Sequence, residues 1–268
     1  GSIMRNAAVA IMYRRDLGAA MEVAWRQSKT THQGDEAADC ARLITWVCVR
    51  AIATGGGKSV LDDLGSFPAR LYATRCLAAA EREERHAENA DSDLADRDWR
   101  WRAREFRYAP SRARADAGYV GSYCMDCLAM ALHCIHATGD FEGAVLRAAN
   151  LCGDADTVAA VTGQMAGAMY GVGKIPESWL RQVEQWDDGD ARCRAWLLFG
   201  AGEPTGPGAN EQPDRGRWTD LRPPEPAERL ACESDTMPHA CGCGRRLASL
   251  RLLQVHQRKC KRAGAAVP

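Results

Sequence analysis

Gly163, Gly167 and Gly171 fall four residues apart in the stretch Asn150–Gly171, NLCGDADTVAAVTGQMAGAMYG, among alanines and methionines. On an α-helix that spacing gathers all three on one face and strips it of side chains, so that another backbone can approach closely. Just upstream stand Asp154, Asp156 and Thr157, behind Gly153. Residues two apart do not share a helix face, so Asp154 and Asp156 both point inward only from a loop or a first turn. Two carboxylates and a hydroxyl in that arrangement suit a hard divalent cation such as Mg²⁺. The same residue types also cap helix N-termini by accepting from orphan backbone N–H groups. The residues alone leave both readings open.

The rest of the chain has to supply a scaffold for such a segment. With 268 residues, 46% apolar and 26% charged, it can bury a sizeable core, and one large domain with a small appendage is expected. The formal net charge is zero, so no global field selects nucleic acid or an anionic surface. No apolar run approaches the roughly 20 residues that span a bilayer, and no signal-peptide pattern opens the chain. A membrane partner is therefore not expected. Of the twelve cysteines, Cys40, Cys48, Cys76, Cys124, Cys127, Cys134 and Cys152 lie in helical-looking apolar segments, where free thiols act as small hydrophobes. A reducing compartment, cytoplasmic or nuclear, is the expectation. Cys124 and Cys127 form a C-x-x-C without the βαβ context of a redox motif, which favours packing over redox chemistry.

Helical periodicity is expected over Asp16–Ser28, from about Asp35 to Thr54, in one or two helices over Val60–Ala80, in a run that Gly118–Tyr123 starts and that passes through His136 to end at Thr138-Gly139, and over Asp140–Ala149. Gly55-Gly56-Gly57-Lys58-Ser59 invites a phosphate-loop reading but fails it on spacing, because Ile52 stands where the first glycine belongs. It reads as a loop and helix stop. Across 81–116 dense mixed charge surrounds Trp99 and Trp101; a solvated helix face is favoured, with base stacking or an interface as alternatives.

Five motifs then occur in order: Gly1-Ser2-Ile3-Met4-Arg5, Thr31-His32, Gly118-Tyr119-Val120, Gly153-Asp154-Ala155-Asp156-Thr157 and Ile175-Pro176-Glu177-Ser178-Trp179. In this order they resemble the ADP-ribosylglycohydrolase family over roughly residues 1–187. The resemblance implies an all-α, ADP-ribosylglycohydrolase-like helical domain over 1–199. It implies Mg²⁺, two ions in the family and one or two here, held by Asp154, Asp156 and Thr157. Gly1, Ser2, Met4, Arg5, His32, Gly118, Tyr119, Val120 and Gly153 become candidate ligand contacts. Apart from the resemblance, a lone His at a helix start such as His32 reads as a cap or surface residue and Arg5 as a solvated charge. The family also carries an N-terminal portion with a Thr-Asp-Asp-Thr-like run, which supplies the remaining metal ligands and a catalytic carboxylate. No such run occurs here, since Asp62-Asp63 is followed by Leu64. The expectation is a fragment or a form with half a metal site, and no catalytic carboxylate is assigned.

From 200 to 238 the composition shifts to Gly, Pro, Glu and Asp without apolar period, as in a linker. Over 239–262, Cys241, Cys243, His256 and Cys260 make a C-x-C-x12-H-x3-C array that resembles a C2HC zinc finger with structural Zn²⁺, against an unstructured tail. His239 or Cys232 can replace one ligand. The basic residues of this tail suit nucleic acid or an acidic partner. By resemblance the chain hydrolyses the glycosidic bond between ADP-ribose and a protein or small-molecule acceptor. The alternatives are an impaired ADP-ribose-binding or scaffold protein and a nucleic-acid or partner binder acting through the tail.

Overall fold

The computed structural model describes residues 1–83, 98–106, 123–151 and 153–202, together with the backbone of 239–240 and 246–247. Two helices organise the first unit, Gly1–Arg181 with Ala191–Glu203. The first, α3 (Asp35–Ala53), is buried on every face from Ala37 to Val49. The second, α5 (Cys124–His136), is buried from Met125 to Ile135. A helix apolar all round belongs at the centre of a helical core. Around them pack α1 (Ala7–Met12), α2 (Leu17–Lys29), α4 (Tyr72–Ala79), α6 (Phe141–Ala149) and α7 (Ala155–Tyr170). Beyond Pro176 follow α8 (Glu177–Asp187) and α9 (Asp190–Ala201).

Local chemistry sets the starts of these helices. Asp16 accepts from the Ala19 backbone N–H at 2.8 Å and Asp140 from that of Gly143 at 2.6 Å, so each carboxylate satisfies an orphan donor in a first turn. Both were readable as helix starts. The expected helical content of Val60–Ala80 is smaller than its apolar spacing suggested. Two 3-10 turns, Lys58–Leu61 and Leu64–Ser66, precede α4. Pro68 explains the break, because it forces Phe67 into an extended conformation at φ −58°, ψ 127°.

Inside this core one ionic network stands out. Asp39, fully buried on α3, accepts from Arg42, from the Thr74 hydroxyl, and from the backbone N–H groups of Arg70 at 2.9 Å and Leu71 at 3.1 Å. Arg42 also donates to the Pro68 carbonyl at 3.0 Å. One carboxylate thus anchors the chain entering α4 to the central helix.

The glycine triplet is a loop and helix stop, with positive φ at Gly55, Gly56 and Gly57. Lys58 turns to the end of α5, donating to the carbonyls of His136 at 2.9 Å and Thr138 at 2.6 Å. A cation there satisfies orphan carbonyls and complements the helix dipole. A close backbone approach occurs here instead of on the glycine face of α7. Gly57 N–H donates to the Met169 carbonyl at 2.6 Å, and a Cβ on Gly56 would sit 2.6 Å from the same oxygen. On α7, by contrast, apart from adjoining residues and the helix's own backbone, no described atom lies within 4 Å of a Cβ built at Gly163 or Gly171, and at Gly167 only the Phe141 ring does, at 3.9 Å. The helix instead buries Val158, Val161, Met165, Ala166 and Met169. Gly56→Ala, with φ +98° and that clash, is expected to cost about 1–3 kcal/mol in urea unfolding. The same substitution at Gly163 is expected to be neutral or stabilising, since open space surrounds it and alanine is the better helix former.

The charged stretch departs from expectation where it is described. Residues 81–83 and 98–106 are not helical, and Arg82 bridges antiparallel to Asp98. Trp99 and Trp101 are core residues, 2% and 0% exposed. Their indole N–H groups donate to Glu83 at 3.2 Å and to the Leu77 carbonyl at 2.7 Å. A tryptophan is buried at little polar cost once its single donor is paired.

Trp101 also fixes a histidine. His133 on α5 lies 2.8 Å from the Trp101 carbonyl through Nδ1 and 3.2 Å from Arg147 through Nε2. A guanidinium only donates, so Nε2 accepts and Nδ1 carries the proton of a neutral ring. Burial, with Arg147 nearby, pushes the His133 pKa below the ordinary value of about 6.5. The unfolded chain therefore takes up this proton first as pH falls. The contribution to stability is complete above about pH 6.5 and is lost as pH drops towards the folded pKa. His32 and His136 shift the same way. Denaturation midpoints measured between about pH 7.5 and 5.5 should decrease, and His133→Gln should flatten that decrease.

The second unit comprises Gln182–Asp190 and Pro204–Pro268. Its described strands, β1 (His239–Ala240) and β2 (Arg246–Leu247), pair antiparallel. Among the described residues no helix is long and apolar enough to cross a membrane.

Candidate ADP-ribose and metal site

The N-terminus of α7 carries the strongest candidate residues. Gly153 takes φ +67°, a left-handed conformation that brings the chain into the helix. Asp154 is the N-cap residue, Asp156 lies in the first turn and is exposed, and Thr157 is buried. Unlike Asp16 and Asp140, Asp154 makes no side-chain capping bond to the backbone of its own helix. Its Oδ1 instead accepts the Thr157 hydroxyl at 2.7 Å. The capping alternative left open by the residues is therefore not what this carboxylate does. Asp154 and Thr157 hold their oxygens together at the positive end of a 16-residue helix.

These three side chains offer oxygen donors of the kind hard cations take. Among the described residues no group of three or more His, Cys, Asp or Glu side chains gathers in metal-binding geometry. The donors present fit a cation of the Mg²⁺ type, which is commonly held by one or two carboxylates and completes its shell with water and substrate oxygens.

A second set of candidates surrounds the first turn of the chain. Ser2–Arg5 forms a 3-10 turn packed against α2, α3 and α7. Gln27 of α2 donates to the Ser2 carbonyl at 3.1 Å and to Asn6 Oδ1 at 2.6 Å. Gln164 of α7 accepts from Ala7 N–H at 2.8 Å and donates to the Ile3 carbonyl at 3.0 Å. Two glutamines thus hold the turn in place. Neither was singled out in the sequence, since an amide inside a helical stretch carries no motif.

Within this set, Ser2 is buried at 1% exposure and Met4 is exposed at 38%. Arg5 donates to the Gln27 side chain at 2.8 Å, the Gln27 carbonyl at 3.1 Å and the Thr31 hydroxyl at 2.7 Å, which ties it to the end of α2. His32 sits 2.8 Å from the Thr31 hydroxyl through Nδ1 and 3.4 Å from the Gly1 nitrogen through Nε2. Burial, together with the Arg5 charge, lowers the His32 pKa and favours its neutral form. The structure therefore brings Gly1, Arg5, Thr31 and His32 together, and separately Asp154 and Thr157. Gly118, Tyr119 and Val120 lie outside the described residues, as do Cys241, Cys243, His256 and Cys260 of the zinc-finger-like array and the 203–238 part of the expected linker.

A sequence profile of the ADP-ribosylglycohydrolase family matches residues 1–206, and the chain belongs to that family. It is 34% identical over 183 residues to the ADP-ribosylarginine hydrolase Tri1 of Pseudomonas putida (strain GB-1), covering 68% of this chain and 41% of that protein. Over 81 residues it is 35% identical to the ADP-ribosyl-[dinitrogen reductase] glycohydrolase of Rhodospirillum rubrum, covering 30% of this chain and 26% of that protein. A solved structure described as an ADP-ribosylglycohydrolase-related protein complex superposes with a TM-score of 0.55 at 26% identity, covering 76% of this chain and 60% of its own. The chain spans less than half the length of the curated relatives it matches.

Proposed function

We propose that the chain carries part or all of a hydrolase site that releases ADP-ribose from an arginine side chain, with Asp154, Asp156 and Thr157 as ligands for Mg²⁺. The observation that carries this reading is the Asp154 carboxylate, placed at a helix start yet turned to Thr157 instead of the helix backbone. The arginine linkage is favoured by similarity to hydrolases named for it. When bound, the cation would orient ribose hydroxyls and a water and offset developing charge.

The ordered Ser2–Arg5 turn and His32 would border the nucleotide, with the lowered pKa of His32 favouring its neutral form. Positioning of this kind lowers the barrier by fixing the scissile bond against its nucleophile. Proton transfer from the water needs a carboxylate, and none of the described residues is assigned that role.

The alternative reading is binding of ADP-ribose without turnover. Calorimetric titration of ADP-ribose into the chain tests the site itself. Binding is expected in Mg²⁺ and is expected to weaken at least about tenfold in EDTA. Equal affinity in both conditions would remove the metal from the account, and no binding by folded protein would remove the ligand.

A further inference from the structure

One amide joins the two parts of the candidate site. Gln164 stands on α7, the helix that begins at Asp154 and Thr157, about 15 Å further along its axis. Its Oε1 accepts from the Ala7 N–H at 2.8 Å and its Nε2 donates to the Ile3 carbonyl at 3.0 Å. The Nε2 also approaches the Ala160 carbonyl of its own helix at 3.4 Å, which orients the amide. Ala7 is the first residue of α1, so its N–H has no acceptor within that helix, and Asn6 before it makes no side-chain capping bond. The Asn6 side chain is turned instead to the Ala41 carbonyl of α3 at 3.1 Å and to Gln27 at 2.6 Å. Gln164 therefore takes the orphan donor at the start of α1.

We infer that Gln164 is a positioning residue for ADP-ribose, holding the Ser2–Arg5 turn at a fixed distance from Asp154 and Thr157 through its paired bonds to Ile3 and Ala7. The inference rests on the site proposed for ADP-ribose and Mg²⁺.

A side-chain amide offers a donor and an acceptor in one rigid plane, so it reads a C=O and an N–H at once. Glutamate keeps the acceptor but turns a second oxygen towards the Ile3 carbonyl, and methionine fills similar space without a donor. Within the turn, Ser2 and Ile3 are buried, whereas Met4 and Arg5 are exposed. The bond at Ile3 thus fixes the anchored half of the turn, and with it the direction in which Met4 and Arg5 leave. From α2, Gln27 holds the same turn through the Ser2 carbonyl and Arg5. Gln164 alone of the two ties it to the helix of Asp154 and Thr157. A rigid helix keeps that spacing constant, and a ligand that contacts both ends binds well only where the spacing fits it. Gln164 acts through the turn and not by contact with the ligand.

Titration of ADP-ribose into the full chain in Mg²⁺ and in EDTA, with thermal melts and amide hydrogen exchange on the same proteins, tests this. Gln164→Met is expected to weaken binding in Mg²⁺ by about tenfold or more with the melting temperature nearly unchanged. The ratio of the affinities in Mg²⁺ and EDTA should stay at its wild-type value, because the metal ligands are untouched. Exchange should quicken in the peptide that carries Ala7. Gln164→Glu, which retains the bond to Ala7, should also weaken binding, and it carries the test if the methionine variant fails to fold. Gly163→Ala, beside it on α7 in open space, is expected to bind as wild type does. If wild type binds ADP-ribose and the Gln164 variants bind it equally well, this inference falls and the proposed site stands. If Gly163→Ala weakens binding as much, or if the loss comes with a large drop in melting temperature, Gln164 is structural only and the inference falls. If folded wild type binds no ADP-ribose, the proposed site and this inference fall together.

Discussion

Asp154→Asn is expected to reduce release of ADP-ribose by about 100-fold or more while leaving the melting temperature of the chain nearly unchanged. Asparagine keeps the oxygen that accepts from Thr157 at 2.7 Å, so the local geometry survives. What is lost is the negative charge, and a hard cation depends on it. Because Asp154 does not cap α7, its replacement should not release the helix end, in contrast to Asp16→Ala or Asp140→Ala, which should each cost about 1 kcal/mol. Steady-state turnover and thermal melts on the same preparations separate the two effects. A variant with full activity would remove Asp154 from the metal site, and one that melts far earlier would make it structural.

The largest loss of stability is expected at Asp39. Asp39→Ala leaves the Arg42 guanidinium buried without its counter-charge and frees the Thr74 hydroxyl and two backbone N–H groups. Breaking one side of a buried ion pair typically costs about 3–5 kcal/mol, because the partner stays desolvated. The double change Asp39→Leu with Arg42→Met removes both charges and should cost less than the single one. Chemical denaturation of the three proteins checks the order, and a single variant as stable as wild type would mean that water reaches Arg42.

Much of this could be read from residue order because the relevant signals are local. Asp16 and Asp140 stand where helix starts were expected, the long periodic runs became α2, α3, α5 and α6, and Pro176 precedes α8. The Gly-Asp-x-Asp-Thr run marked the start of α7 for the same reason: its chemistry lies within a few residues. What escaped was long-range. Trp99 and Trp101 sit among arginines in sequence, and only the arrival of Leu77 and His133 from elsewhere makes their burial favourable. Asp39 looks like any charge in a helix until Arg70, Leu71 and Thr74 converge on it. The glycine face of α7 was legible as a face, yet the close backbone contact formed at Gly56, whose partner Met169 is remote in sequence.

The most direct measurement is the release of free ADP-ribose from a protein ADP-ribosylated on arginine, followed by mass spectrometry with Mg²⁺ and then with EDTA. The account predicts release in Mg²⁺, its loss in EDTA, and recovery when Mg²⁺ is restored. Release that persists undiminished in EDTA would contradict a metal-organised site at Asp154, Asp156 and Thr157. Binding of ADP-ribose with no release under any condition would contradict the hydrolase reading of this chain.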